Sequence, residues 1–220
     1  MIYAGIDEAG YGPLLGPLCV GMSAFRLSQA DEAAAPPDLW ARWSTGVCRA
    51  PRDKRRRIAV ADSKKLKSAG KVPLLHLERG VLSFVARAVA TDAELFAELG
   101  VHARTSRATP WHARELALPE SHAQAELAIS RNVVRRALER AGDGLAAFGV
   151  TALDAPAFNE LYRRIANKSL LNMSLVFEAA RHVDLIRGDE PAYLAIDRQG
   201  GRADYTRELE EHVARGARVR

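Results

Sequence analysis

Cysteine is scarce in this chain: Cys19 and Cys48 are the only two among 220 residues. Two thiols in so long a chain make no disulfide framework, and Cys19, inside an apolar run, reads as a buried free thiol. No apolar stretch reaches the length of a membrane span, and no basic segment followed by an apolar one opens the chain as a secretory signal would. A cytoplasmic protein with no membrane partner is the expectation. Aromatic residues are few, at 6%. Trp40, Trp43 and Trp111 read as packing residues before they read as base-stacking ones. A Walker phosphate loop is missing, as is the Gly-x-Ser-x-Gly elbow of serine hydrolases. His102, His112 and His122 stand ten apart, which matches no zinc spacing. There is no internal repeat, and an alanine-rich patch near residue 33 is the one low-complexity feature. What remains is ordinary for a globular protein: 48% hydrophobic and 27% charged, enough to bury a core. The formal charge of +5 suits a polyanionic partner, although arginine-rich composition alone produces such a value.

The hydrophobic pattern gives strands first and helices after, a mixed α/β domain. Ile2 to Asp7 reads as a short strand, and Leu18-Cys19-Val20-Gly21-Met22 as a second, with turn chemistry from Ala9 to Pro13 between them. Residues 28–51 form a linker or excursion that carries Trp40 and Trp43 and has room for a short helix. Arg49 to Arg57 is a basic cluster with one acid, Asp53. Ile58 to Ala61 is a short strand or ordered loop. Helices are expected over 71–90, 92–99 with Gly100 as the stop, 124–140, and 169–186. In the last of these Met173, Val176, Phe177, Ala180 and Val183 share a face. Phe148 to Leu153 is a strand, after which Asp154 caps a helix with Pro156 in its first turn. Tyr193 to Ile196 is a late strand running into Asp197, and 205–214 is a polar helical tail.

Three segments carry chemistry. In Gly5-Ile6-Asp7-Glu8-Ala9-Gly10-Tyr11-Gly12-Pro13 an apolar strand delivers two adjacent carboxylates to a glycine-rich loop. Magnesium takes oxygen ligands, and one or two carboxylates with waters and a substrate phosphate suffice. Two such ions about 4 Å apart can hold both the attacking water and the leaving oxygen of a phosphodiester. Standing alone, an Asp-Glu pair in a turn is more often simply solvated. A dinucleotide-binding loop is the other rival. It fails because Gly10, Gly12 and Gly16 are misspaced, Pro13 and Pro17 oppose a helix start, and the acids precede the glycines. The second segment, Ile196-Asp197 before Gly200-Gly201, repeats an acid at a strand end. Its weight comes from combination with the first. In the third, Asp62-Ser63-Lys64-Lys65-Leu66, a hydroxyl and two lysines beside a turn suit phosphates. A solvated helix cap explains the same residues equally well.

Taken together, Asp7 to Pro17, Asp62 to Leu66 and Asp197 resemble, in order and spacing, the motifs of the ribonuclease HII and HIII family. The stretch from Phe158-Asn159-Glu160 to Asn172-Met173 is similar to the helical region before that family's third acid. The resemblance implies a single ribonuclease H-like domain over 1–220, a mixed sheet flanked by helices, with insertions near 28–56 and 101–123 and without the family's C-terminal part. It implies a metal-dependent endonuclease, using magnesium or manganese, that hydrolyses the RNA strand of RNA–DNA hybrids or cuts at ribonucleotides embedded in DNA. Asp7 would bridge the metals, with Glu8 and Asp197 completing the acidic cluster. Gly10, Tyr11 and Gly12 would read the ribose 2′-hydroxyl. Ser63, Lys64 and Lys65 would contact the nucleic-acid backbone, and the product would carry a 3′-hydroxyl and a 5′-phosphate. A monomer is expected. The chain departs from the family at Tyr11, where an Arg is usual, and in the absence of a matching fourth acid, since Asp204 has the wrong surroundings. A non-catalytic nucleic-acid-binding relative of the same fold is therefore the alternative, and a nucleotide-binding α/β protein a weaker third.

Overall fold

The computed structural model describes residues 1–10, 16–28, 36–67, 71–101, 114–197 and 205–213, the side chain of His212 excepted. Contacts divide the chain into two compact units. The first holds Met1–Arg26, Gly100–Arg114 and Ala146–Arg220, and the second holds Leu27–Leu99 and Glu115–Leu145.

In the first unit β1 (Ile2–Ala9) and β2 (Leu18–Arg26) pair antiparallel, with Ile2 opposite Arg26 and Asp7 opposite Gly21. β6 (Ala192–Ile196) lies parallel on the other side of β1, with Ile2 beside Ala192 and Ile6 beside Ile196. β5 (Gly144–Leu153) completes a four-stranded sheet in the order β5-β2-β1-β6. The period-two pattern explains the pairing. Ile2, Ala4 and Ile6 on β1 and Leu18, Val20, Met22 and Ala24 on β2 turn to one face and are buried together. A slip of one residue would bring Tyr3, Gly5 and Asp7 into that core, so the apolar alternation fixes the register.

The helix covering this face is α7 (Lys168–Arg187), which packs on β1, β2 and β6 and against α6 (Ala155–Ile165) and α8 (Thr206–His212). Asp154 caps α6 by accepting from the Ala157 N–H at 2.9 Å, and Pro156 occupies its first turn. Asn167 caps α7, accepting from Ser169 and Leu170. The five residues expected to share a face of α7 are all buried. So are Leu171, Asn172, Leu175 and Ala179, so burial wraps well beyond a single stripe.

The second unit contains α1 (Leu39–Arg42), β3 (Val47–Cys48), β4 (Ile58–Ala59), α2 (Ser63–Leu66), α3 (Leu75–Phe84), α4 (Asp92–Glu98) and α5 (Gln124–Ala141). The two short strands pair in parallel, and α3 packs on β4 and α5. Lys71 to Ala90 was expected as one helix, but α3 ends at Phe84, where Val85 is already extended, and it begins only at Leu75. Val85 and Val89 are buried in the non-helical segment that follows and not on a helix face. An ion pair holds the ends of this unit together. Asp143, whose side chain is wholly buried, accepts from Arg42 Nε and Nη2, from Trp43 Nε1 at 2.8 Å and from the Ser28 N–H at 2.9 Å. Burial alone would raise the Asp143 pKa. The bonds from Arg42, Trp43 and Ser28 outweigh it and hold the carboxyl below its ordinary value. Among the described residues no helix is long and apolar enough to cross a membrane.

Candidate active site

Asp7 and Asp197 are neighbours because two strands are parallel and in register. Ile6 lies beside Ile196, and the Asp197 N–H continues the pairing by donating to the Ile6 carbonyl at 3.4 Å. The next positions along both strands are Asp7 and Asp197. Adjacent strands lie about 4.8 Å apart. Parallel partners in register point their side chains to the same face. Tyr3 and Tyr193, four residues before each acid, show this directly, with rings stacked at 5.2 Å between centroids. The alternation carries Asp7 and Asp197 to that same face, opposite the core, and both are exposed.

The floor around the two acids is built of small residues. Gly5 precedes Asp7 by two on the same strand, Gly21 faces it across the β1–β2 pair, Ser23 faces Gly5, and Ala195 precedes Asp197 by two. No side chain larger than Ser23 or Cys19 rises beside Asp7 from β2, which leaves the carboxylates accessible to a bulky ligand. Asp7 Oδ1 accepts from the Glu8 N–H at 2.8 Å, which fixes the carboxylate against its own strand.

Glu8 is placed differently. Consecutive strand residues point to opposite faces, so Glu8 takes the side of Ile6 and stands opposite Val20. Among the described residues no three His, Cys, Asp or Glu side chains gather as a metal-binding group. The register therefore sets Asp7 beside Asp197, and the pleat starts the Glu8 side chain on the opposite side of β1. As a donor set, two carboxylates on an open floor offer hard oxygens, the chemistry that magnesium and manganese accept.

Gly10 ends β1 with φ at +79°, and a Cβ there would lie 2.5 Å from the Pro17 carbonyl oxygen. Only glycine fits this left-handed turn against the start of β2. Tyr11 and Gly12, which complete the expected loop, and Gly200, Gly201 and Asp204 after the third acid, lie outside the described residues, as do His102, Trp111 and His112.

Ser63, Lys64 and Lys65 belong to the second unit and form most of α2. Asp62 caps that turn by accepting from the Lys64 N–H at 2.8 Å, and all three side chains are exposed. Leu66 anchors the turn in a small apolar cluster with Cys48 and Ala59. Cys19 is half-buried and Cys48 buried, and both are free. Burial pushes both thiols up, which keeps them protonated near neutrality. His182 is exposed on α7. His122 has its Nε2 2.9 Å from the Leu75 carbonyl and its Nδ1 3.5 Å from Glu126.

The Tyr3–Tyr193 stack and the small-residue floor are the parts of the site that sequence reasoning missed. The signal was present: Tyr3 and Asp7 share an offset with Tyr193 and Asp197, the mark of two strands in parallel register. Comparison of the chain with protein-family models, with curated proteins and with solved structures finds no match in any of the three.

Proposed function

We propose that the chain is a metal-dependent endonuclease of the ribonuclease H kind. It would hydrolyse the RNA strand of RNA–DNA hybrids, or cut at ribonucleotides embedded in DNA. The observation that carries this reading is the parallel register that sets Asp7 beside Asp197 on one open face of the sheet. The mixed sheet with helices against it is the architecture that the motifs imply for a ribonuclease H-like fold.

Asp7 and Asp197 would hold magnesium or manganese through carboxylate oxygens. When bound, such ions activate water and neutralise charge on the leaving oxygen of a phosphodiester. The strand pair keeps the two carboxylates at fixed spacing, so that little ordering cost falls on substrate binding. The floor of Gly5, Gly21 and Ala195 lets a sugar–phosphate backbone approach the acids. Tyr11 and Gly12, next in sequence after the Gly10 turn, would meet the ribose 2′-hydroxyl that separates RNA from DNA. Ser63, Lys64 and Lys65 are exposed and suited to phosphate contacts.

The test is cleavage of an end-labelled RNA–DNA hybrid, and of a DNA duplex with one ribonucleotide, in magnesium and in manganese. The full chain is expected to cut at least one of them. Asp7→Asn and Asp197→Asn should each lower the rate about a hundredfold or more while circular dichroism is unchanged. Full cleavage by Asp7→Asn would remove it from the chemistry. A second reading is favoured by Glu8, which the pleat turns away from the other two acids, and by Tyr11 in place of an Arg. It is a non-catalytic relative that binds the same nucleic acids. Salt-sensitive binding to the hybrid without cutting in either metal would establish it.

A further inference from the structure

The nine residues between β3 and β4 carry a charge concentration that the proposed active site does not use. Arg49, Arg52, Lys54, Arg55, Arg56 and Arg57 against Asp53 give this loop a formal +5. The whole chain has 32 basic and 27 acidic residues, so its entire excess of +5 equals that of this one loop. The remaining sequence is balanced.

The loop is built, and does not merely carry charge. Asp53 accepts from the Arg57 backbone N–H at 3.0 Å and from Arg57 Nε and Nη2 at 3.2 and 2.8 Å. The Arg56 N–H donates to the Asp53 carbonyl at 3.1 Å, and Arg57 Nη1 ties the turn to the Ser44 carbonyl. Arg56 takes a left-handed backbone, with φ at +57°. At one end Arg49 lies 3.8 Å over the Trp40 ring and is held by Asp38. The single acid is thus spent internally on Arg57. Arg52, Lys54, Arg55 and Arg56 are exposed and make no ion pair among the described residues. Four like charges within five residues, none in an ion pair among the described residues, repel one another, an arrangement that a line of phosphates relieves.

We infer that the Asp53-organised loop of residues 49–57 is a docking surface for the phosphate backbone of a nucleic-acid duplex, contacted without regard to base sequence. The choice of nucleic acid among polyanions rests on the proposed nuclease reading. An anionic membrane is disfavoured because Ala50 and Pro51 are the only apolar residues of the loop, too small to insert among lipid chains.

Fluorescence anisotropy tests this with a labelled 20-base-pair RNA–DNA hybrid in EDTA, across a salt series, using the full chain. Replacing Arg52, Lys54 and Arg55 by Ala and Arg56 by Asn, which tolerates the left-handed backbone, should weaken binding at least ~tenfold. It should also lower the slope of log affinity against log salt by about 3.6, near 0.9 for each of the four lost contacts. A control removes four exposed charges elsewhere, at Arg136, Arg140, Arg163 and Lys168, and should leave the slope nearly unchanged. Asp53→Asn removes the loop's one negative charge and raises its net charge, yet should weaken binding, because it frees Arg57 and the turn. Equal loss in the control, tighter binding by Asp53→Asn, or binding to phosphatidylserine vesicles in place of the hybrid would each overturn the inference. The outcomes separate the two proposals. Cleavage that survives with an unaltered salt slope in the loop variant sinks the docking surface alone. A lowered slope with no cleavage by the unaltered chain sinks the nuclease alone.

Discussion

At the scale of single residues, the floor beside Asp7 makes a sharper test of the site than the acids themselves. A Cβ at Gly5 would meet only Ser23 Oγ, at 3.9 Å, so the strand accepts a side chain there. Gly5→Val should leave the melting temperature within a few degrees, since valine suits a strand. By filling the space next to Asp7, it should raise KM for the hybrid and lower kcat/KM about tenfold or more. Normal kinetics in that variant would mean that substrate does not cross this face. Asp143 is a residue-scale question of stability. It is the one acceptor that joins Arg42, Trp43 and Ser28. Asp143→Ala would take the carboxylate from Arg42, which keeps the Ser28 and Ala141 carbonyls, and from the Trp43 indole N–H, at a cost of about 3 kcal/mol. Urea unfolding read by tryptophan fluorescence measures it, and a loss below about 1 kcal/mol would show the network to be dispensable.

Among the elements, the strands were the most legible and the helix ends the least. β1 and β2 announce themselves because one buried face imposes alternation, which one sequence displays without help, and β6 by its short apolar run. Residues 71–90 show the opposite case. Leu74, Leu75, Leu82, Val85 and Val89 fit a helical period, yet Val85 and Val89 are buried in a non-helical segment, where tertiary packing replaces the helical face. β3 is too short to leave a periodic trace, and only its partner β4 defines it. At that same place Gly46 permits a close approach. A Cβ there would stand 2.7 Å from Ala137 Cβ and 2.8 Å from the Val133 carbonyl oxygen on α5. Gly46→Ala must therefore push β3 and α5 apart, and should cost about 1–3 kcal/mol in thermal or chemical unfolding. A neutral result would show that the contact yields freely. The cap of α6 is a smaller effect: Asp154→Ala should lose about 1 kcal/mol.

For the molecule as a whole, acid is the natural probe, because Asp143 and Asp53 both titrate low. Arg57, by its side-chain and backbone hydrogen bonds, pulls the Asp53 carboxyl down to about 2. Asp143 is also held below the usual value. Carboxyls with lowered folded pKa values stabilise the fold fully above their unfolded value of about 4, and that stability is lost as pH falls through the folded value. Loss of structure reported by tryptophan fluorescence should therefore set in below about pH 4. Asp143→Asn should be less stable at pH 7 and show a flatter acid limb. An unchanged limb would put the acid response elsewhere. The candidate site was legible as three acids and two loops, but not as an arrangement. Sequence reasoning grouped Glu8 with Asp7 because they are consecutive, and the pleat separates them for that same reason.

The order of apolar and polar residues alone determined that β1, β2 and β6 form, which face of β1 and β2 is buried, and that Asp7 lies near the end of one strand and Asp197 just past the end of another. Those are local matters, settled by period and by turn chemistry within a few residues. Whether the two acids meet was decided only by tertiary structure, because it depends on β6 returning parallel to β1 in register across some 190 residues. The division of the chain into two units, and the turning of the charged loop's one acid inward onto Arg57, belong to the same class. They follow from which surfaces find partners once the chain has collapsed, and no short stretch of sequence encodes that.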